Sequence, residues 1–531
     1  MIYNPLEEYE NKFKSFHLEK TNEYFENLVS KAKINIEENR KTIKEINDIE
    51  ELKKSINKKL KWWKFLRVIL FITLILIPLA IFKINPIIKK IKLELDELTN
   101  KKLQLYNTSK VQMEPLNSLF SNNDCLNIIE SVLPNIEFNK IFSLNQEKYM
   151  SKNFDFKEKT SNDQSTINAL SGFYNDNPFL FEERRIQKMG TQVYHGYRTI
   201  YWTERYRDSN GRLRTRTRSQ TLHATVTKPK PIYEKKVMLS YCSQAGPELS
   251  FSREAGNVDE KSERQIEKHI KKGEKELKKI TDKAIKENRS FVSMSNTEFE
   301  VLFNAIDRNN EVQYRTLFTP LAQTNMVDLI LDKQQYGDDF YFYKKNRTSK
   351  IITNHSQERT LVLSPNVYMS NSYDEIKTNF TSKNQKFFEE VYFDFAPIFA
   401  IPIYQEKPMI GLKDYDNLNR CYSFKEYEVL ANKLEQSLVS NNDAKTKNII
   451  KCKTVNSKNN IDEIVVTAYS FDTIEHTEFV PVFGGDGRLH NVAVIWKEYI
   501  PIETESFFYV STIELAKDKK ILAMQGNLCI Y

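Results

Sequence analysis

The sequence predicts an α+β protein: N-terminal coiled-coil helices flanking one transmembrane helix, then a mixed α+β region with a long β-hairpin and a C-terminal β-meander. Three observations predict it. Residues 68–82 form an uncharged apolar run, the segments on either side repeat apolar residues at 3–4 spacing, and residues 191–228 alternate in the manner of two strands about an Asn-Gly turn. At 531 residues the chain is too long for a single core, and 40% apolar content excludes wholesale disorder.

Residues 1–61 are expected to be helical. Val29, Ala32, Ile36, Asn39, Ile43 and Ile46 fall on one stripe, continued after a slip by Ile49, Leu52, Ile56 and Leu60. Asn39 in an apolar position is a residue type that fixes coiled-coil register. Residues 84–106 carry a matching stripe of Ile84, Ile88, Ile91, Leu95, Leu98 and Leu105. Such helices either pack on their own chain or bring copies together as a homo-oligomer.

Between them, residues 62–83 are the expected transmembrane helix. The fifteen residues of the run would be only about 22 Å long. Counted from Trp62 the helix reaches about 31 Å, enough for a hydrocarbon core of about 30 Å. Trp62 and Trp63 suit the headgroup boundary, and Leu70, Leu74 and Leu76 would face lipid. Seven basic residues upstream and six downstream leave the orientation undecided, and the same symmetry suits a shallow hairpin turning at Pro78. Five cysteines without CxxC spacing argue for reduced thiols. Together with the basic surface described below, they point to a cell-membrane protein whose soluble bulk faces the cytoplasm.

Residues 107–170 read as an irregular linker with a short helix near 124–133, followed by an α+β domain over 171–404 and a last α+β unit over 405–531. Within the domain, residues 191–228 are the clearest strand signal. If the turn holds an even number of residues, Arg205, Arg207, Arg212, Arg214, Arg216 and Arg218 share one face near the tip. Val193, Tyr197, Leu222, Ala224 and Val226 then share that face near the base. From Arg184 to Lys236 fourteen basic residues stand against three acidic ones, a net +11 that exceeds the +8 of the whole chain. Charge of that density calls for an anionic partner: lipid headgroups of the bilayer, an acidic protein face, or nucleic acid stacking on Tyr201, Trp202 and Tyr206.

Residues 262–288 predict a basic amphipathic helix opened by a Ser262–Gln265 capping box. A strand is expected over Val312–Phe318, further strands near 340–344 and 359–363, and a helix over 373–395. In the last unit a helix near 423–440 and a polar linker to Asn460 precede a three-stranded meander over 463–472, 476–483 and 489–502.

No nucleotide-loop, zinc-protease or nucleophile-elbow motif occurs, and no histidine pair has metal-ligand spacing, so neither cofactor nor metal is expected. The one acidic cluster with nuclease-like order is Asp307, Glu311 and Gln313 beside Arg308 and Arg315, with Asp338 or Asp339 as further carboxylate. It leaves a metal-dependent hydrolase as the third alternative, behind an interaction scaffold and a membrane-associated nucleic-acid-binding protein. The stretches SGFYNDNPF (171–179), YWTERYRDSNG with RTRSQTLHATVTKP (within 201–231) and FNAIDRNNEVQYRTLFTPLAQTNMVDL (303–329) resemble a family of membrane-anchored proteins of low-GC bacteria. The resemblance covers roughly 171–404; it implies a tethered, non-secreted protein and brings no site residues with it.

Overall fold

The computed structural model describes residues 1–72, 80–157, 161–207, 209–287, 291–409, 422–458, 461–511, 523–525 and 528–530. The chain divides into two compact units that interleave in sequence. A helical one comprises Ile2–Pro134 and Val362–Ala396; a mixed one comprises Asn135–Leu361 and Pro397–Tyr531, together with Met1.

In the helical unit the helix Lys14–Ala32 stops at Lys33, whose left-handed backbone (φ 51°) closes its last turn. Two long helices follow, Ile36–Ile72 and Asn85–Asn117. They lie side by side and antiparallel: Arg67 meets Asn85 (3.4 Å), Lys53 meets Thr99 (2.7 Å), and Thr42 meets Gln112 (3.2 Å). Leu60, Ile84 and Ile88 are buried between them, with Trp63, Leu66, Ile91 and Leu95 packed around. The chain therefore enters and leaves the apolar segment on the same side.

Among the described residues no helix is long and apolar enough to cross a membrane. This corrects the single transmembrane helix over 62–83 and the single-pass localisation that rested on it. Part of the flanks packs on protein, while Trp62 stays 56% exposed. Trp63 packs on the Leu60–Ile84–Ile88 cluster, Trp62 turns its edge to Trp63 (centroids 4.9 Å apart), and Arg67 and Lys53 bond the opposing helix. Residues 73–79, with Leu74 and Leu76, and the side chain of Leu70 lie outside the described residues.

The buried Asn39 finds its hydrogen-bond partners within the chain. Its Oδ1 accepts the Tyr373 N–H (3.0 Å) and its amide donates to the Asn371 carbonyl (3.0 Å), capping the helix Tyr373–Phe399. Phe25, Met113, Leu116, Phe120, Tyr368 and Phe380 fill the core beneath.

Beside it His17 lies parallel to the Phe388 ring at 4.2 Å, with no carboxylate bonded to it among the described residues. Burial pushes its pKa down from the usual 6.5 to about 3. The unfolded chain then binds a proton between about pH 6.5 and 3 that the folded chain refuses, so stability falls as pH drops through that window. His17→Phe should flatten this limb: the loss in melting temperature between pH 7.5 and pH 5, read by circular dichroism, should be smaller than in the parent protein.

The mixed unit is built on an antiparallel sheet of β1 (Ile136–Phe138), β2 (Gln164–Tyr174), β3 (Asn177–Arg207), β4 (Leu213–Cys242), β5 (Ser250–Arg253), β6 (Phe340–Lys345) and β7 (Thr348–Thr353), in the order β1-β2-β3-β4-β7-β6-β5. Strands β8 (Ile449–Lys458), β9 (Ile461–Phe483) and β10 (Leu489–Ser511) form a second sheet in the order β10-β9-β8. Strand β3 pairs with β2 only up to Ile186, and β4 with β7 only over Leu239–Cys242; beyond that, β3 and β4 pair with each other alone. Pro229 and Pro231 sit inside β4 opposite Thr191 and Met189. They are two residues apart, so both missing N–H groups fall on the same edge, the one without a strand partner.

Several local expectations give way to helices or longer strands. Val312–Phe318 is not a strand: the helix Glu311–Leu317 is capped by Asn310, whose side chain accepts the Gln313 N–H (3.1 Å), and buries Tyr314, Leu317 and Phe318 on one face. The stretch taken as a linker holds the end of the Asn85–Asn117 helix, the expected helix Asp124–Val132, β1, the helix Leu144–Phe154 capped by Ser143, and most of β2. Residues 463–472 and 476–483 are one strand, β9, and the third strand of that sheet is β8, inside the presumed polar linker. Residues 359–363 are in no strand.

Candidate functional site

The β3–β4 ribbon does not stand alone. Its inner face stacks on the β9–β10 hairpin around Ile200, Leu222, Ala224, Val492 and Val494, with Tyr194, Trp202, Val226, Val480 and Val482 completing the layer. Gly196 lets the two backbones meet: a Cβ there would fall 2.2 Å from the Ala493 carbonyl oxygen and 2.8 Å from Val494 Cγ2. Polar contacts close the edges. Arg198 donates to the Asn491 carbonyl (2.8 Å), and Gly485 N–H donates to Gln220 (2.6 Å). The Lys228 ammonium lies 4.3 Å from the Trp496 ring centre and 2.8 Å from Glu478.

The ladder corrects the face assignment. Arg207 pairs with Leu213, so the turn between them holds five residues, 208–212, with Gly211 in the left-handed region (φ 77°). An odd turn places even-numbered residues of β3 opposite even-numbered residues of β4. Arg214, Arg216 and Arg218 therefore share the inner face with Leu222, Ala224 and Val226, whereas Arg205 and Arg207 point to the outer face and Arg212 lies in the turn. Val193 and Tyr197 are outward too, 48% and 67% exposed rather than in the core.

On the inner face Glu204 accepts from both Arg216 (2.8 Å) and Arg218 (2.7 Å), and the Arg216 guanidinium covers the Tyr206 ring at 5.1 Å. The turn of the second hairpin, Gly484–Gly485, reaches only as far as Ile200, Trp202 and Gln220. Five residues of β3 continue past Trp202, about 16 Å of ribbon at strand rise. Residues 203–218 hold six arginines against Glu204 and Asp208, a net +4.

The β9–β10 hairpin (461–511) carries nine acidic and two basic residues, a net −7. The +11 segment and the −7 segment are thus layers of one stack. The sequence reading missed this pairing, although the acidic excess of 461–511 was open to the same count.

The carboxylates proposed for metal chemistry are each occupied by protein donors. Asp307 accepts from Ser252 N–H (2.9 Å) and Oγ (2.5 Å), and the Gln313 oxygen from Glu248 N–H (3.0 Å). Glu311 accepts from Arg308 Nε (2.8 Å), whose Nη1 also holds the buried Glu300 (2.9 Å); Arg315 donates to the Val292 and Ser293 carbonyls. Asp338 holds the buried Arg253 and the N–H groups of Gly256 (2.8 Å) and Val258 (2.9 Å), and Asp339 meets His355 Nδ1 (2.5 Å). Among the described residues no group of three His, Cys, Asp or Glu side chains is placed to hold a metal ion. Compared with family models, curated proteins and solved structures, the chain matched none.

A side chain at Gly196 should pry the ribbons apart. Gly196→Val should raise the rate of tryptic cleavage between Arg198 and Arg218 at least several-fold, while far-ultraviolet circular dichroism keeps its helical signal. An unchanged cleavage rate would show that the stack does not depend on this close approach.

Proposed function

We propose that the chain is an interaction scaffold whose arginine-bearing ribbon tip docks on an acidic face of a partner protein. One observation carries this reading: the basic ribbon outruns the acidic hairpin that lines its lower part, so residues 203–218 present net positive charge with no acidic ribbon beneath them among the described residues. The stack itself supplies the pattern for such a partner. Its lower part already takes a hairpin of net negative charge, with Lys228 paired to Glu478, and a partner of like chemistry would continue it along the tip. Arginine suits this role because its planar fork binds carboxylates in a fixed geometry.

A nucleic-acid partner draws less support. Of the three aromatic residues that would stack on bases, Trp202 lies in the layer between the ribbons and Tyr206 lies under Arg216. Tyr201 is the exception, 73% exposed on the outer face.

Fluorescence anisotropy with labelled poly-L-glutamate at low salt tests the reading. The parent protein should bind, and Arg205→Glu/Arg207→Glu/Arg214→Glu should weaken binding at least tenfold with the circular dichroism spectrum unchanged. Equal binding by the variant would overturn the docking role. A single-stranded oligonucleotide of matched charge that bound more than tenfold tighter than polyglutamate would overturn the choice of partner.

A further inference from the structure

At the root of the ribbon, away from the tip, β3 and β4, the segment 436–448 and the β9–β10 hairpin line an open cleft of about 860 Å³. The size falls within the ordinary range for small-molecule sites. Five cationic side chains line it, Arg185, Lys230, Lys445, Lys447 and Lys497, and no carboxylate does. That composition is unlike the rest of the stack, where Lys228 and the paired tip arginines have carboxylates against them.

The cations of the cleft are poorly neutralised. Lys497 reaches Glu475 at 3.5 Å, an exposed pair of little strength. Arg185 is half-buried, and its Nη1 is fixed by two neutral oxygens, Asn448 O (3.0 Å) and Asn432 Oδ1 (3.3 Å). Desolvation presses its pKa below the ordinary arginine value. Those two oxygens fix the guanidinium in place and carry no compensating charge. Lys230, Lys445 and Lys447 have no ion-pair partner among the described residues.

Two further groups prepare the wall. Thr446 Oγ1 accepts from both Tyr233 OH (3.0 Å) and Phe471 N–H (3.0 Å), so its own hydroxyl hydrogen is left to donate. Tyr233 and Tyr499 supply ring surface beside the charges.

We infer that this cleft binds a small diphosphate, a compact polyanion opposite in charge to the weakly paired cations of the cleft and with oxygens that suit guanidinium, ammonium and hydroxyl donors together. The diphosphate is either inorganic or carried on an organic group that would lie against the two tyrosines. The site is independent of tip docking, because none of its residues belongs to 203–218.

Titration calorimetry of the full chain with pyrophosphate, ADP and adenosine tests the inference. Pyrophosphate and ADP should bind at low salt, and adenosine should not. ADP tighter than pyrophosphate by tenfold or more assigns the organic form, and near-equal affinity the inorganic one. Lys445→Glu/Lys447→Glu, at exposed loop positions that folding tolerates, should weaken diphosphate binding at least tenfold. The tip variant Arg205→Glu/Arg207→Glu/Arg214→Glu should bind diphosphate as the parent does. No diphosphate binding at millimolar concentration, equal binding by the Lys445/Lys447 variant, loss in the tip variant alone, or adenosine binding as tight as ADP would each overturn it.

Discussion

A two-stranded β-ribbon buries too little surface to hold its shape in water, and that constraint governs the mixed unit. β3 and β4 are 31 and 30 residues long, and most of their length pairs with no third strand. The answer is a second ribbon laid against the inner face, with Leu222, Ala224, Val492 and Val494 excluded from water between them. Fully burying such aliphatic side chains stabilises by roughly 1.5–3 kcal/mol each, whereas Val193 and Tyr197 on the other face contribute no comparable burial. Everything that identifies the candidate sites, including which arginines face which way and where the acidic hairpin ends, follows from the register of this stack.

Charge then distributes itself around a geometry set by apolar packing. The +11 and −7 segments are opposed without needing many close pairs, since Lys228–Glu478 is a direct contact while most of the charges are separated along the ribbon edges. Opposed fields of this kind favour the correct pairing of ribbons over copies or slipped registers more than they add stability. The residual positive charge collects at the tip past Gly485 and in the root cleft, where the residues that line it from 436–448 include Lys445 and Lys447 and no carboxylate.

Much of the local structure was legible in the sequence. The capping box at Ser262 and Gln265 opens the helix Glu263–Lys286 as expected, Thr319–Pro320 opens the helix Pro320–Leu331, and the alternating runs around Asn210–Gly211 form a hairpin. What escaped was information that the local pattern does not contain. The V-Q-Y-R-T segment at 312–316 alternates like a strand, but burial of Tyr314, Leu317 and Phe318 on one face decides for a helix. The face of each arginine turned on one residue of turn length, because a single-residue slip exchanges the two faces of a strand. The cleft was invisible for a different reason: Arg185, Lys230, Lys445 and Lys497 lie far apart in the chain and meet only through the fold.

The apolar segment shows the same limit in another form. Hydropathy states that a side chain avoids water and leaves open what replaces it. Trp63, Leu60, Ile84 and Ile88 meet each other across two antiparallel helices, and the basic residues that flank them find Asn85 and Thr99 on the opposing helix. A lysine-rich margin and paired tryptophans fit a bilayer boundary and a helix–helix seam equally well, because both surroundings are apolar on one side and wet on the other. The distinguishing signal is the pairing of stripes across the segment. Ile84, Ile88, Ile91 and Leu95 repeat at 3–4 spacing on one helix, Leu66, Trp63 and Leu60 repeat every three residues on the other, and the two stripes pack on each other.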